Sequence, residues 1–578
     1  MALLRRLPLG LAVCLVALLT WVPGAIAHAT LEGTAPARGV TVQQQPSAVV
    51  FRFSEPVEGN FGAVRVYDAE GERADRGDAF HPDGEGTKLG VHLDPDLADG
   101  SYTATYRIVS ADGHIVSGGY VFAVGRAGRA PGATVAELIA ASGAGTATKV
   151  GLGVARGLQY AALAVALGAL VFLLAILLPA CRGVGDGGER WRRATLAGEG
   201  RLRTVLIAAA IVGTLSAAAA IVCEAAQAAG VSFGSALDWT LIREELGTRF
   251  GTVWGLTALA WTLVGVGAVA RRGLGRNRAL VLLVPLAFVA LEPPLSGHPS
   301  TQSPVALLFP ANVLHVLAMA VWVGGLASLL LVLPALTREL EPGPRTRLLA
   351  AVLARFSPLA LACVAAILLT GIGQAYAYVR HLDALLETAY GRAVLIKLVL
   401  LLGALVPLAA YNRYRSLPRL RRLAAGGEAP ARAGFLLRRA LRLEVALLVV
   451  VLAVTAALAG YPPPSAGQSG PVSASAALGP AQLELTVDPA RVGSNQIHLY
   501  LFDAKSGAQF AAIEELKLAA TEAEDSIGPL PLAPRRAGPG HYVVQGALLG
   551  VAGEWQLEVT MRVSAFDQYT AELEVPIR

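Results

Sequence analysis

His28 follows Ala25-Ile26-Ala27, which has the small-x-small pattern of a secretory cleavage site. Arg5 and Arg6 supply the charged start of such a signal peptide and Leu9 to Leu19 its apolar middle, so residues 1–27 read as a leader. Cleavage after Ala27 would make His28 the mature amino terminus. A terminal histidine offers its α-amine and its imidazole together, a ready chelate for a transition metal. Further on, Asp112 and His114 stand two apart, and on an extended segment both can point to one face. Amine, two imidazoles and a carboxylate form the mixed nitrogen and oxygen set that suits a tetragonal Cu(II) centre. The reference pKa of a terminal amine, about 7.7–8.0, means that a metal must displace its proton, so binding should weaken in acid. A plainer reading fits the same spacing, with Asp112-Gly113 as a hairpin turn and His28 as the residue that happens to follow the cleavage site.

The elements that would position these groups come in three blocks. Residues 28–125 alternate apolar and polar side chains in runs such as 49–53, 63–67 and 102–106, separated by Gly, Pro and Asp turns. Short strands at that spacing predict an antiparallel sandwich or barrel. A Gly/Ala-rich linker, 126–149, leads to residues 150–462, where eight apolar stretches each approach the roughly 20 residues that cross a bilayer. They fall at 151–180, 204–228, 250–270, 278–294, 308–334, 356–379, 392–411 and 443–461. After a Pro/Ser/Gly linker, 463–475, residues 476–578 alternate again and predict a second small β-sandwich. With 54% hydrophobic and 16% charged residues among 578, a multi-span membrane protein is the default class. Four cysteines, all in apolar segments, suggest no disulfide framework.

Arginine sets the orientation. The loops after spans one, three, five and seven hold Arg182 to Arg203, Arg271 to Arg278, Arg338 to Arg347 and Arg413 to Arg439, whereas the alternate loops are poor in Arg. The positive-inside rule then puts those loops in the cytoplasm and both mature termini on the extracytoplasmic side.

Ionisable residues within the spans form a second candidate set, since such groups in lipid usually face a cavity or each other. Glu224, His315 and Lys397 lie about four to seven residues from the outer ends of spans two, five and seven, roughly 6–10 Å deep at 1.5 Å per residue. His298 sits on the outer loop above them, and a polar vestibule open to the outside is the economical interpretation. Met319 lies one turn beyond His315 on the same face, and with Cys363 in span six it would suit Cu(I). Met and Cys also pack apolar helices without any ligand duty, and Glu224 and Lys397 also read as a simple ion pair. His81 and His92 read as surface histidines, and His498 and His541 in the last block show no ligand spacing.

The run from His28-Ala29 through Pro36-Ala37, Phe53-Ser54-Glu55-Pro56-Val57 and Ser110-Ala111-Asp112-Gly113-His114 closely resembles CopC copper-binding domains. That resemblance implies a cupredoxin-like or Ig-like β-fold with His28, Asp112 and His114 as Cu(II) ligands. Some CopC proteins carry a Met-rich Cu(I) site; this block has no Met after cleavage, so Cu(II) alone is expected there. The membrane block resembles CopD, the inner-membrane protein fused to CopC in some bacteria. The carrying residues are His315 with Trp322-Val323-Gly324-Gly325, then Arg355-Phe356-Ser357, Tyr390-Gly391-Arg392 with Lys397, and Asn412-Arg413. The last block loosely resembles YtkA-like domains.

These resemblances imply copper homeostasis: uptake across the bacterial inner or plasma membrane, or alternatively periplasmic sequestration without transport. Copper ions and the lipid bilayer are the expected partners, with periplasmic copper chaperones as a source and no nucleic acid. No P-loop is present to couple ATP hydrolysis. Enzymatic oxygen activation is not expected, because Asp112 would fill the equatorial position that such copper chemistry needs open.

Overall fold

The alternating runs become strands and the apolar stretches become helices in the computed structural model of the chain. It describes residues 29, 31–38, 40–59, 62–110, 113, 115–125, 138, 144–185, 187–270, 275–379, 382–426, 431–464, 472–488, 490–506, 508–524 and 526–577. The chain divides into two compact units, a helical one and one that contains both β-modules.

In the first module β1 (Leu31–Ala35), β3 (Ala48–Phe53) and β5 (Lys88–His92) form one sheet. A second sheet has the order β2-β7-β6-β4, from β2 (Thr41–Val42), β4 (Val64–Tyr67), β6 (Gly100–Val109) and β7 (Ile115–Val124). Val49, Phe51 and Phe53 alternate inward while Arg52 stays exposed, the period that a half-buried strand imposes. Phe51 meets Tyr106 and Tyr120 in tilted and edge-on ring contacts that join the two sheets. The result is a sandwich rather than a closed barrel. One pairing departs from the antiparallel expectation: β2 runs parallel to β7, where a two-residue strand is long enough only to cover that edge.

Among the described residues eight helices are long and apolar enough to cross a membrane. They are α1 (Thr146–Val184), α2 (Glu189–Ala229), α3 (Arg249–Val269), α4 (Arg276–Leu295), α5 (Val305–Arg338), α6 (Pro342–Val379), α7 (Ala389–Ala425) and α8 (Gly434–Leu458). Several extend well past the apolar stretch, because polar first and last turns can stay helical outside the lipid. Helix α1 already starts within the stretch that composition assigns to the linker. Wide π-type turns at Phe172–Leu177, Leu401–Leu405 and Asn412–Ser416 each run into a Leu-Pro or Val-Pro pair. The wider turn accommodates a proline that cannot donate to the preceding carbonyl.

Helix α5 is held by small residues. Gly324 lies against the α1 backbone at Ala164 and Gly168, so close that a Cβ would overlap the Ala164 carbonyl oxygen. Gly325 takes the Phe356 ring of α6 in the same way. Without a hydrophobic driving force between helices in lipid, such close backbone approach supplies the packing contact. These contacts explain the Trp322-Val323-Gly324-Gly325 and Arg355-Phe356-Ser357 runs in physical terms.

The last module is a second sandwich. One sheet has the order β13-β14-β10-β9-β8, from β8 (Val472–Leu478), β9 (Ala481–Asp488), β10 (Gly493–Asp503), β13 (Arg535–Gly538) and β14 (His541–Leu549). The other is β12-β11-β15-β16, from β11 (Glu515–Glu522), β12 (Ile527–Leu532), β15 (Gly553–Arg562) and β16 (Gln568–Ile577). Strand β8 starts inside the expected linker. Its Ser and Ala residues alternate in exposure, but their small size hides the pattern in composition.

Replacing Gly324 by Val should therefore lower the melting temperature of the detergent-purified full chain, by the equivalent of about 1–3 kcal/mol of overpacking. Gly373→Ala, which meets open space, should melt like the parent; equal melting of both variants would remove the close α1–α5 contact from the account.

Candidate functional site

The sequence motif around the first candidate site is assembled by buried polar contacts. Ser110 follows the last residue of β6, and its hydroxyl accepts from the Ala29 backbone N–H at 3.1 Å. The same hydroxyl donates to Glu55 Oε1. Ala29, Glu55 and Ser110 are all nearly fully buried, so these bonds are shielded from water. Glu58 and Val109 exchange two backbone bonds of 2.9 and 2.8 Å, which seals the Glu55-Pro56-Val57 segment against the end of β6. The β6–β7 turn is tight: the Gly113 N–H donates to the Ser110 carbonyl at 2.9 Å, and Gly113 has φ 81°, a conformation that favours glycine. His28, Asp112 and His114 themselves lie outside the described residues. Next to them in the chain, Ala29 and Gly113 both bond Ser110, which in turn bonds Glu55, so three of the four quoted runs converge on one end of the sandwich.

His81 and His92 stay apart from that end. His81 Nδ1 meets the Lys88 carbonyl at 2.6 Å, while His92 pairs with Asp78 at 2.8 Å and stacks on Phe80. Among the described residues no three His, Cys, Asp or Glu side chains converge on a point that could hold a metal ion.

In the helical unit, the structure joins His298 and His315 through a stripe on α6. His315 Nδ1 and the Thr370 hydroxyl are 2.9 Å apart. Asn312, one turn nearer the start of α5, donates to Gln374 Oε1 at 2.7 Å. The His298 ring faces Tyr378, centroids 6.3 Å apart, and Tyr378 meets Tyr390 of α7 edge-on. Thr370, Gln374 and Tyr378 follow at intervals of four, so they share one face of α6 with a rise of about 6 Å per step. Among the described residues Asn312 Oδ1 and the buried Tyr378 hydroxyl have no hydrogen-bond partner. In an apolar helix bundle such atoms stand ready for water or a cation.

Other candidates fall elsewhere. Met319 and Cys363 pack within the main apolar core, and the His315 ring bonds Thr370 instead. No ion pair joins Glu224 to Lys397 among the described residues. Lys397 lies near enough for its charge to act on the His315 ring. Glu224 is buried beside Cys223, which packs with Leu152, Phe250 and Trp254 of α1 and α3, a different cluster from that of Tyr378 and Tyr390.

Sequence reasoning missed Thr370, Gln374 and Tyr378, whose four-residue spacing was the available signal. It also passed over Glu292, a lone carboxylate before Pro293-Pro294 that served only to mark the end of a span. Glu292 is 1% exposed; its Oε1 accepts from Ser296 at 2.8 Å, and its Oε2 has no partner among the described residues. At the other end of the bundle Asn412 donates to Glu444 at 2.7 Å and Arg413 to the Ser357 hydroxyl at 2.7 Å, so two further quoted runs meet.

Three family models match the chain: CopC domain over residues 31–125, Copper resistance protein D-like, N-terminal domain over 147–306, and Copper resistance protein D over 350–458. The chain is 26% identical over 548 residues to Copper transport protein CutJ of Bacillus subtilis (strain 168), covering 92% of this chain and 93% of that protein. It is 33% identical over 120 residues to Protein YobA of Escherichia coli (strain K12), covering 21% of this chain and 95% of that protein. Among solved structures it is similar to CopC from Methylosinus trichosporium OB3b, at 31% identity and TM-score 0.16, over 17% of this chain and 93% of that one.

Ser110→Ala removes the hydroxyl between Ala29 and Glu55. It should weaken Cu(II) binding by the full chain about 10- to 100-fold, as loss of an outer-shell support does. A titration indistinguishable from the parent would separate this hydrogen-bond relay from metal binding.

Proposed function

The chain belongs to the family in which a CopC domain is fused to a CopD membrane domain, and from that premise we propose that it takes up copper across the bacterial inner or plasma membrane. The outer module captures Cu(II) through the His28 amine and imidazole, Asp112 and His114. The ion then passes to His298 and along Tyr378, Gln374 and Thr370 to His315. The polar stripe on α6 carries this interpretation, since it links two histidines at different depths and keeps unpartnered polar atoms beside them. The similarity to Copper transport protein CutJ of Bacillus subtilis supports the same reading.

The signal peptide puts His28 outside, and the Arg-rich loops put both mature termini on the same extracytoplasmic side. Inward movement of a cation down a membrane potential gains about 2.3 kcal/mol per charge per 100 mV, so no nucleotide hydrolysis is required. Passage as Cu(I) halves the charge to be desolvated, with the electron supplied from outside this chain. In this reading the protein acts as a binder and conductor rather than an enzyme, because Asp112 as a ligand would fill the equatorial position where oxygen would have to bind. Periplasmic copper chaperones would be its natural donors.

Two measurements test the capture site and the path. Adding one residue before His28 converts the α-amine into an amide and should sharply weaken Cu(II) binding by the full chain; equal affinity would remove the amine from the ligand set. His315→Ala should lower cellular copper accumulation and should leave Cu(II) binding outside intact. Cells lacking the gene should show copper starvation, whereas copper sensitivity would favour sequestration outside the membrane over uptake.

A further inference from the structure

Part of the outer face of the last module's five-stranded sheet is dry where a solvated surface would be expected. On β10, Ile497, Leu499 and Leu501 fill the core, so His498, Tyr500 and Phe502 point to the opposite face, which in an antiparallel sandwich is commonly solvated. Yet His498 is 3% exposed, and His541, paired with Tyr500 across the strands, is 5% exposed. The cover comes from the first module, within the same compact unit. Arg38 forms an ion pair with Asp488, and Gln509 Nε2 donates to Ser101 Oγ at 3.4 Å. The Arg38 charge also reaches Tyr106, Tyr120, Tyr500 and His498.

Two imidazoles are held head to head in this dry layer. His498 Nδ1 and His541 Nε2 are 3.1 Å apart, the ring planes differ by 5° and the centroids are 5.4 Å apart. Parallel rings with that separation must lie in one plane, with both nitrogens on the line between centroids. Each nitrogen therefore aims its in-plane orbital at the other. Tyr500 stacks on His541 at 4.4 Å and fixes the ring plane. Burial, with the His541 and Arg38 charges, pushes the His498 pKa down to about 3, so this ring stays neutral. Its other nitrogen, Nε2, is buried without a hydrogen-bond partner among the described residues.

We propose that His498 and His541 form a second metal site, which takes a monovalent, low-coordinate d10 cation of the Cu(I) type between their facing nitrogens. The proton on that axis moves to the other nitrogen of whichever ring carries it, both imidazoles remain neutral, and each donates one lone pair to the ion. Bonds of about 2.0 Å to imidazole nitrogen require the two atoms to part to about 4 Å. Rotation of the two side chains on neighbouring strands supplies that opening. A divalent ion would want about four donors. No third His, Cys, Asp or Glu joins the pair among the described residues, and the nearby Arg38 guanidinium disfavours a second positive charge. The assignment is independent of the uptake reading, since neither residue belongs to the helical unit or to the Cu(II) ligand set.

The test uses the detergent-purified full chain, titrated anaerobically with Cu(I) against a competing chelator. The parent and Glu558→Gln, an exposed residue of the module's other sheet, should bind one more Cu(I) per chain than the double variant His498→Gln, His541→Gln. Equal stoichiometry and affinity in all three would overturn the site. A second measurement needs no variant: Ag(I) added to the parent protein, with histidine nitrogens labelled, should split two imidazole resonances through silver–nitrogen coupling. No split pair among the histidine signals would likewise end the proposal.

Discussion

A polar atom inside a bilayer has no water to fall back on, and this constraint orders the helical unit. Each buried polar group on one helix must find its partner on another. Gln159 of α1 accepts from Ser216 of α2 and from the Trp261 indole of α3, both at 3.1 Å, and so ties three helices at one point. His315 with Thr370 and Asn312 with Gln374 do the same for α5 and α6. Asn412 with Glu444 does it for α7 and α8. These bonds add modestly to stability, but a lost partner is costly, so they fix which helix faces meet.

The same constraint gives functional weight to polar atoms left over. Asn312 Oδ1, the Tyr378 hydroxyl and Glu292 Oε2 lack partners among the described residues although protein surrounds them. A pathway for a small cation needs such donors, because they replace its hydration water in steps. It also needs each step to bind weakly enough for release, which neutral oxygen donors satisfy better than a cluster of thiolates would. Cys363 packed in the apolar core agrees with this economy.

Much of the fold was legible in the sequence because it follows from length and period. An apolar stretch of about 20 residues is visible one residue type at a time, and so is the alternation of Val49, Phe51 and Phe53. The parts that escaped depend on pairing between distant segments. Thr370, Gln374 and Tyr378 are ordinary residues in a helix until His315, Asn312 and His298 are set opposite them. Strand β8 escaped because Ser and Ala carry little apolar contrast. The cover over His498 escaped because alternation identifies the outer face of a sheet but cannot tell what lies on it. The His28, Asp112 and His114 set rests on spacing and family resemblance, since all three lie outside the described residues and only their neighbours Ala29, Ser110 and Gly113 are seen.

The glycines of α5 connect packing to chemistry. Gly324 seats the helix on α1 and Gly325 seats it on α6, so α5 can neither rotate nor slide without overlapping a backbone carbonyl or the Phe356 ring. His315 lies about nine residues before Gly324 on that helix, roughly 13 Å at 1.5 Å per residue. Its depth and its facing toward Thr370 are consequences of where the glycines lock. A close-packed interface of this kind tolerates discrete rearrangements better than gradual ones. The proposed movement of an ion past His315 would therefore be more economically achieved by side-chain rotation along the α6 stripe than by displacement of α5 as a body.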